Sequence, residues 1–290
     1  VFIINPMAGQ GKNIDKLISN IMSVSTELNA DTEIYTTQSV GDAEVYVRDY
    51  CNTIGPARFI ACGGDGTLSE VLNGAIDCPL AEIGVVPMGT GNDFCRNFEN
   101  RDSFKNVALQ IMGETTKCDA IKYKTETTEG IAEGYCVNMF NIGFDCNVAV
   151  MTGEMKKKPF ISGSMAYFAS ILVNIIKKKG ADLRVEIDGE VKHEGPLLLN
   201  PVANGSYCGG GIKSNPYASV QDGYLSVNII KDVSQLGIVR LLPHYMKGTH
   251  MELKNIEKII STYKCKKVVI TPLKGEIIIS PDGEELKAGR

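Results

Sequence analysis

The sequence predicts an α/β N-terminal domain with a parallel, Rossmann-like sheet, followed by a C-terminal antiparallel β-sandwich domain. Short apolar runs alternate with helical patterns over residues 1–118, as in parallel sheets covered by helices on both faces. Over residues 119–285 short alternating segments are separated by turn residues, as in sandwiches and barrels. The change of pattern at Cys118 predicts the domain boundary, with residues 286–290 as a short return toward the first domain.

Strands and helices alternate in the first domain, and three of the segments that follow strands share a composition. The segments after the first, third and fourth strands are rich in glycine and polar residues. Because ligands of open parallel sheets bind at the carboxyl ends of the strands, we expect a site there. The predicted strands are Val1–Ile4, Glu33–Thr36, Arg58–Ala61 and Ile83–Val86, and the predicted helices are Ile14–Leu28, Asp42–Cys51 and Leu68–Ala75.

The second domain is predicted mainly from short strands. Two helices, Ser164–Lys179 and Ser234–Met246, interrupt the series. The sequence shows no low-complexity linker between the domains. The predicted strands are Ala120–Lys124, Tyr135–Ile142, Leu183–Ile187, Leu197–Ala203, Tyr224–Ile230, Lys267–Thr271 and Glu276–Ser280.

Composition and charge exclude several classes of protein. The formal net charge is -4, whereas a duplex nucleic-acid binder usually carries a basic excess, so no nucleic-acid partner is expected. The nine Cys contain no C-x-x-C pair and only three His are present, which argues against a zinc site and favours a reduced, cytoplasmic protein. No signal peptide is visible, and no apolar run is long enough for a spanning helix.

The most specific pattern in the chain is the run Gly63-Gly64-Asp65-Gly66-Thr67. It follows a predicted strand and precedes a predicted helix. Its glycines let the backbone approach a bulky anion, and a helix that starts at Thr67 offers free N–H groups to that anion. A phosphate chain fits such a loop, and Asp65 fits if it holds Mg²⁺ against the phosphates. The alternative is a tight turn with a helix N-cap.

Two further loops are expected to share one surface with this run. Residues 5–12 follow the first strand, although they lack the G-x-x-x-x-G-K-[ST] pattern of a Walker A loop. Residues 87–94 follow the fourth strand and contain Asp93 as a second acidic group. Each loop alone is also typical of a plain strand-to-helix turn, but three of them at neighbouring strand ends predict one site.

The order of these motifs resembles the bacterial diacylglycerol kinase-type lipid kinases, which are relatives of the sphingosine and ceramide kinases. The chain contains N-P-x-x-G, then G-G-D-G-T, then P-x-G-T-x-N-D-F. The resemblance implies transfer of the γ-phosphate of ATP to a lipid hydroxyl, with diacylglycerol as the favoured acceptor and phosphatidic acid as the product. The later segments that match are Asn204-Gly205, Gly209-Gly210-Gly211, Pro216, Ala218, Asp222-Gly223-Tyr224-Leu225 and Asp282-Gly283-Glu284.

The resemblance also implies catalytic and nucleotide-binding residues. Glu284 would be the general base that takes the proton from the lipid hydroxyl, and Asp65 would organise the phosphates and Mg²⁺. The chemistry agrees, because an alcohol that attacks a γ-phosphate needs a nearby carboxylate and charge neutralisation. The residues expected to contact ATP are Asn5, Pro6, Met7, Ala8, Gly9, Thr37, Gly63, Gly64, Asp65, Gly66, Thr67, Leu68, Ser69 and Thr90.

A structural Mg²⁺ is implied beside the D-G-x-L motif. Asp222 and the backbone carbonyl groups of Ser219 and Tyr224 would hold it. Gln221 stands where a further acidic residue often occurs in this family, which predicts a weaker metal site. From the residues alone, the D-G pair that precedes Glu284 is also a hairpin-turn pattern, and such a turn is compatible with a base at its edge.

One predicted helix carries a candidate membrane contact. Ser164–Lys179 has one apolar face, with three lysines ahead of it at 156–158 and three at its end at 177–179. These lysines predict peripheral docking to anionic lipid at the inner face of the plasma membrane. The alternative is an ordinary core helix flanked by solvated lysines. A homodimer is a further option that the sequence leaves open.

Two other functions fit parts of the same pattern. A kinase with a soluble acceptor, such as an NAD kinase-like enzyme, would share the G-G-D-G loop, but the later P-x-G-T-x-N-D-F motif favours the lipid kinases. A non-catalytic regulator that binds nucleotide or lipid would not need Asp65, Asp93 and Glu284 together. A dehydrogenase is disfavoured, because no G-x-G-x-x-G opens the first helix.

Overall fold

The computed structural model describes residues 1–11, 13–128, 130–143 and 180–289. The chain divides into two compact units, Val1–Cys118 and Asp119–Arg290. The predicted fold class is confirmed, since the first unit contains a parallel sheet with helices and the second an antiparallel sheet. The predicted helix Ser164–Lys179 and the lysines at 156–158 lie outside the described residues.

A four-stranded parallel sheet forms the centre of the first unit. Its strand order is β2-β1-β3-β4, and every neighbouring pair is parallel. Strands β1 and β3 are almost entirely buried, which explains their continuous apolar runs. Because all four strands run the same way, their carboxyl ends lie at one edge of the sheet. The strands are β1 (Phe2–Ile4), β2 (Ile34–Thr36), β3 (Arg58–Gly63) and β4 (Glu82–Pro87).

The predicted helices α1 and α2 agree with the structure to within two residues at their ends, and two larger differences occur elsewhere in the first unit. Helix α3 begins at Asp65, before the predicted Thr67, because extended Gly64 forms its N-cap and an acidic side chain is favoured in a first turn. The short helix α4 was not predicted; its N-cap Asn106 accepts a hydrogen bond from the Leu109 amide at 3.2 Å. The helices are α1 (Ile14–Glu27), α2 (Asp42–Thr53), α3 (Asp65–Ala75) and α4 (Val107–Met112).

Eleven described strands of the second unit belong to one antiparallel sheet. Its order is β13-β8-β9-β11-β10-β7-β14-β15-β5-β6, and β12 also pairs with β11. One core cluster joins residues from distant parts of this order, including Ile121 of β5 and Leu183 of β8, so the sheet packs on itself as a sandwich. The strands are β5 (Ile121–Thr127), β6 (Gly130–Cys136), β7 (Met139–Ile142), β8 (Ala181–Ile187), β9 (Glu190–Leu199), β10 (Val202–Ala203), β11 (Leu225–Lys231), β12 (Ile260–Cys265), β13 (Val268–Pro272), β14 (Ile277–Pro281) and β15 (Leu286–Ala288).

Two segments predicted as single strands are each broken in two. The segment Tyr135–Ile142 turns between β6 and β7, because the amide groups there donate to a side chain, Asp282, and not to a neighbouring strand. The segment Leu197–Ala203 is interrupted at Asn200 and Pro201, where proline has no N–H to give to a ladder. Residues Leu286–Ala288, for which a return toward the first domain was expected, form β15 and pair with β14 and β5.

One helix, α5 (Gln235–Lys247), packs against the strands of the second unit. It is one residue displaced from the predicted range, since the Ser234 hydroxyl caps it by accepting from the Gly237 amide at 3.1 Å. Its buried face, Ile238, Leu241 and Tyr245, forms a separate core cluster with strand residues. None of the helices in the described part of the chain is both long and apolar enough to cross a membrane.

The stability of the second unit is expected to fall as the pH drops from 7 to 5, because of one buried histidine. His250 is fully buried beside the Tyr245 ring, and burial lowers the pKa of its imidazole from 6.5. Below pH 6.5 the unfolded chain therefore binds a proton that the native state resists, so stability is lost at up to about 1.4 kcal/mol per pH unit. Denaturant unfolding of His250→Phe should show a flatter pH profile. A matched change at exposed His244, to Phe, should leave the profile steep.

Candidate active site

Asn5 connects the loop after β1 to the glycine-rich run after β3. Its amide side chain donates to the Thr67 hydroxyl at 3.2 Å, and its carbonyl oxygen accepts from the Met7 amide at 2.9 Å. Its backbone N–H donates to the Cys62 carbonyl at 3.0 Å. The N-P-x-x-G motif is thus fixed against the start of α3, as two loops that share a ligand would require.

The loop after β4 lies in backbone contact with both of the other loops. A Cβ atom on Gly89 would stand 2.6 Å from the Gly64 Cα, and one on Gly9 would stand 2.8 Å from the Met88 carbonyl oxygen. Side chains at these two glycines would therefore force the loops apart. Residues 5–11, 64–67 and 88–94 together form what we call the three-loop surface, and they confirm that the three predicted loops meet.

Asp65 holds the loop after β4 to the first turn of α3. Its Oδ1 accepts a hydrogen bond from the Phe94 amide at 3.3 Å. Burial raises the pKa of the Asp65 carboxyl, and hydrogen bonds from the backbone of Phe94, Asp93 and Asn92 partly offset this rise. The carboxylate therefore has a structural role in the three-loop surface that the sequence did not indicate, besides the metal-organising role proposed for it.

Two side chains, one within the third loop and one just after it, maintain its shape, and sequence reasoning missed both roles. The Asn92 amide both donates to the Gly89 carbonyl at 2.7 Å and accepts from the Gly89 N–H at 3.1 Å. Arg96 donates to the Gly91 carbonyl at 3.1 Å and lies 3.3 Å from the buried carboxylate of Asp93. Asp93 is therefore compensated by the cation of Arg96, two positions after the end of that loop.

The residues predicted to contact ATP differ in how far their side chains are exposed to a ligand. Leu68 is only 3% exposed, so its side chain belongs to the core and only its backbone can face a ligand. Thr67 and Thr37 are also buried, and the Thr37 amide donates to the Ile4 carbonyl at 2.9 Å. Met7 is 80% exposed and Thr90 is exposed. The other predicted residues, Pro6, Ala8, Gly63, Gly66 and Ser69, lie in or beside the same surface.

A groove of about 670 Å³ extends the three-loop surface along α1. It shares Gly9 and Met88 with that surface. Its remaining polar lining is the ammonium group of Lys16 and the side-chain amides of Asn13 and Asn20. These groups can bind an anionic or polar ligand. The lining residues outside the surface are Asn13, Lys16, Leu17, Asn20, Val86 and Pro87.

In the second unit, Glu284 ends a tight turn between β14 and β15. Its backbone N–H donates to the Pro281 carbonyl at 2.9 Å, and the central residues Asp282 and Gly283 have φ values of 47° and 95°. Two central residues with positive φ are typical of a type I′ turn. The hairpin-turn interpretation of D-G is therefore correct, and the turn leaves Glu284 exposed.

The carboxylate of Asp282 fixes this turn to the segment between β6 and β7. It accepts hydrogen bonds from the amides of Val137, Asn138 and Met139 at 2.7, 2.9 and 3.1 Å, and from the Cys136 thiol at 3.0 Å. These residues lie about 145 positions earlier in the chain. The Asp282 side chain therefore connects the turn that carries Glu284 to a distant part of the sheet.

Buried amide side chains extend this network. Asn204 donates to the Val137 carbonyl at 2.8 Å and to the Asp119 carbonyl at 2.6 Å, and Asn138 donates to the Tyr207 carbonyl. Each amide donates to backbone carbonyl groups in irregular segments. Buried polar groups need such partners, which explains why asparagine occurs inside an apolar core. The sequence marked Asn204-Gly205 only by resemblance and gave no signal for Asn138.

Replacing Asp282 with Asn is expected to lower the free energy of unfolding, measured with denaturant, by about 1–3 kcal/mol. The donors that surround Asp282 use both of its carboxylate oxygens, whereas an asparagine side chain has only one acceptor oxygen. At least one buried N–H group would therefore lose its hydrogen-bond partner. Asp188→Asn is the matched control, because Asp188-Gly189 is a D-G turn with similar φ values that also accepts from two amides. Asp188→Asn should lose less stability, because both amides donate to Oδ1 alone, and equal losses in the two variants would contradict this role of Asp282.

In the D-G-x-L segment the one carboxylate proposed as a metal ligand is held by protein groups. Asp222 Oδ1 accepts from the Tyr224 amide at 3.0 Å, and Oδ2 pairs with the Lys264 ammonium group. Within the described ranges no group of three or more His, Cys, Asp or Glu side chains could hold a metal ion. Of the donor set proposed from Ser219, Asp222 and Tyr224, the carboxylate is thus already engaged by an amide and an ammonium group.

Comparison with known proteins covers both units. Residues 1–123 match the family model described as diacylglycerol kinase catalytic domain, and residues 138–289 match the one described as YegS C-terminal NAD kinase beta sandwich-like domain. "Diacylglycerol kinase" of Staphylococcus aureus (strain bovine RF122 / ET3-1) is 30% identical over 252 residues, which is 86% of this chain and 75% of that one.

Two further similarities extend along the chain. "Probable lipid kinase YegS" of Escherichia coli O9:H4 (strain HS) is 30% identical over 225 residues, 76% of this chain and 71% of that protein. A crystal structure described as a putative diacylglycerol kinase from Bacillus anthracis str. Sterne has a TM-score of 0.72 at 25% identity, with 99% of this chain and 91% of that one covered.

Proposed function

Because the chain belongs to the family of bacterial diacylglycerol kinases and YegS lipid kinases, we propose that it transfers the γ-phosphate of ATP to the hydroxyl of diacylglycerol, giving phosphatidic acid. The observation that supports this most is the meeting of three glycine-rich loops at the carboxyl edge of the parallel sheet, where Asn5 joins the first loop to α3 and the Asp65 carboxylate joins the third. Such an edge is where open α/β sheets bind their ligands.

The three-loop surface offers the phosphates of ATP a set of N–H donors. The first N–H groups of α3, from Asp65 to Thr67, have no carbonyl partner within the helix. They point outward at the positive end of the helix dipole, so they favour an anion there. Glycines at 9, 64 and 89 let the backbones of the three loops approach each other closely, so that the loops form one surface. The Mg²⁺ that accompanies ATP supplies charge neutralisation, and Asp65 is the carboxylate proposed to face it.

Glu284 is proposed as the general base. The carboxylate takes the proton of the lipid hydroxyl while the hydroxyl oxygen forms its bond to the γ-phosphorus. The bond from that phosphorus to the β,γ-bridging oxygen breaks, and ADP leaves with the bond's electron pair. The turn that carries Glu284 is anchored by Asp282 through four hydrogen bonds, so the base is held in place before the substrate arrives.

The acceptor sets the proposed surroundings of the enzyme. Diacylglycerol resides in a bilayer, so we propose that the protein works in the cytoplasm and contacts the inner face of the plasma membrane from the side. The lysines at 156–158 and 177–179 remain the proposed contact, and a homodimer remains a proposal for the oligomeric state.

The test is transfer of radiolabel from [γ-³²P]ATP to a panel of acceptors in mixed micelles. The panel contains diacylglycerol, monoacylglycerol, undecaprenol, ceramide and phosphatidylglycerol, with NAD as a soluble acceptor. We expect labelled phosphatidic acid. Label in another lipid would correct the acceptor, label in NAD would favour the soluble-substrate kinase, and ATP binding without any labelled product would favour a non-catalytic regulator.

A further inference from the structure

We infer that the D-G-Y-L loop of the second unit, residues 222–225, is held by the ammonium groups of Lys264 and Lys266 in place of a structural divalent cation. The Lys264 ammonium group pairs with Asp222. The Lys266 ammonium group donates to the Gly223 carbonyl and lies 3.9 Å from the centre of the Tyr224 ring.

Strand register places both lysines at the loop. Strand β12 pairs with β11, with Cys265 opposite Leu225 and Lys264 opposite Ser226. The loop ends where β11 begins, so the last residues of β12 and the turn after it lie beside the loop. A cation–π contact with Tyr224 adds a second attraction for Lys266. The position of the cations therefore follows from backbone pairing and does not depend on a bound ion.

The two carboxylates that contact the loop are already accompanied by two cations. Asp222 is one anion, and Asp119 is the other, since its Oδ2 accepts from the Gly223 amide at 2.6 Å. The two lysines supply two positive charges. A Mg²⁺ ion would need the Asp222 carboxylate, the one anionic ligand proposed for it, and a backbone amide and the Lys264 ammonium group now occupy both oxygens of that carboxylate. A neutral residue, Gln221, precedes Asp222 and supplies no compensating carboxylate.

The first experiment measures thermal unfolding of the whole protein without nucleotide or lipid, in EDTA and in millimolar Mg²⁺ or Ca²⁺ at matched ionic strength. We expect midpoints that agree within about 1 °C, because a ligand must bind the native state to raise its stability. A midpoint that falls by several degrees in EDTA and recovers with Mg²⁺ or Ca²⁺ would overturn the inference. Neither ATP nor lipid is present, so the result is independent of the proposed kinase activity.

The second experiment tests the lysines themselves. Lys264→Met should lower the midpoint by about 1–4 °C, because the pair is partly exposed, with side-chain exposures of 40% for Lys264 and 31% for Asp222. Asp222→Asn should have a similar effect, and the double variant should lose less than the sum of the two. Lys267→Met is the matched control, an exposed lysine three positions along. A Lys264→Met shift no larger than the control's, or strictly additive losses, would contradict the inference.

Discussion

Replacing Glu284 with Gln is expected to lower kcat for lipid phosphorylation by about 10²- to 10⁴-fold with little change in the KM for ATP. The glutamine side chain has nearly the same shape but cannot accept the hydroxyl proton. Glu284 is exposed, and the turn depends on its backbone N–H, so the fold should be retained. The measurement is the steady-state rate of phosphatidic acid formation, with circular dichroism and thermal unfolding as checks on the fold.

The neighbouring Glu285 supplies the control for this prediction. It is exposed and carries the same charge one position later, so Glu285→Gln alters the surface charge without removing the proposed base. Glu285→Gln should retain a rate within a few-fold of the unaltered protein. A Glu284→Gln variant that keeps more than a tenth of the native kcat would remove the assignment of the base.

Replacing Asp65 with Ala is expected to reduce turnover at least about 10²-fold, while lowering the stability of the first unit by only about 1–3 kcal/mol. The change removes the acceptor of the Phe94 amide, so the loop after β4 loses its attachment to α3. It also removes the carboxylate proposed to face Mg²⁺. Turnover is measured as before, and nucleotide affinity by fluorescence titration with an ATP analogue.

Two further variants separate these roles of Asp65. Asp65→Asn keeps an acceptor for the loop amide but loses the charge, so recovered turnover would identify loop attachment as the main role. Asp77→Ala changes an exposed aspartate just after α3 and should behave like the native protein. Native turnover in Asp65→Ala would contradict the assignment of the three-loop surface.

The fold of the first unit could be predicted from sequence because its determinants are local. Each strand of the parallel sheet is a short apolar run bounded by glycine or polar residues, and each helix shows its own periodicity. The start of α3 was predicted too late because the glycines at 64 and 66 favour a loop. In the structure Gly64 is the extended N-cap and the helix begins at the next residue. Loop convergence was predictable from strand direction alone.

The second unit was predicted less completely, because its irregularities depend on distant residues. The break between β6 and β7 arises from Asp282, about 145 positions away, and no local pattern shows it. Strand β12 was not predicted because its polar residues, such as Ser261 and Lys264, are also typical of a loop. Only its antiparallel pairing with β11 identifies it as a strand. The pairing of Lys264 with Asp222 depends on the same register, so it could not be predicted from sequence.

The long-range pairing of β14 and β15 also has a consequence for synthesis on the ribosome. The sheet of the first unit uses only residues 2–87, so it can form soon after that stretch has emerged. Strands β5 and β7, in contrast, wait for residues 277–288 to be translated before their open edges are covered. During this interval the nascent chain carries unpaired β-edges, which are sites of aggregation. The turn that bears Glu284 therefore forms well after the sheet of the first unit, so a growing chain would acquire the three-loop surface before the proposed base.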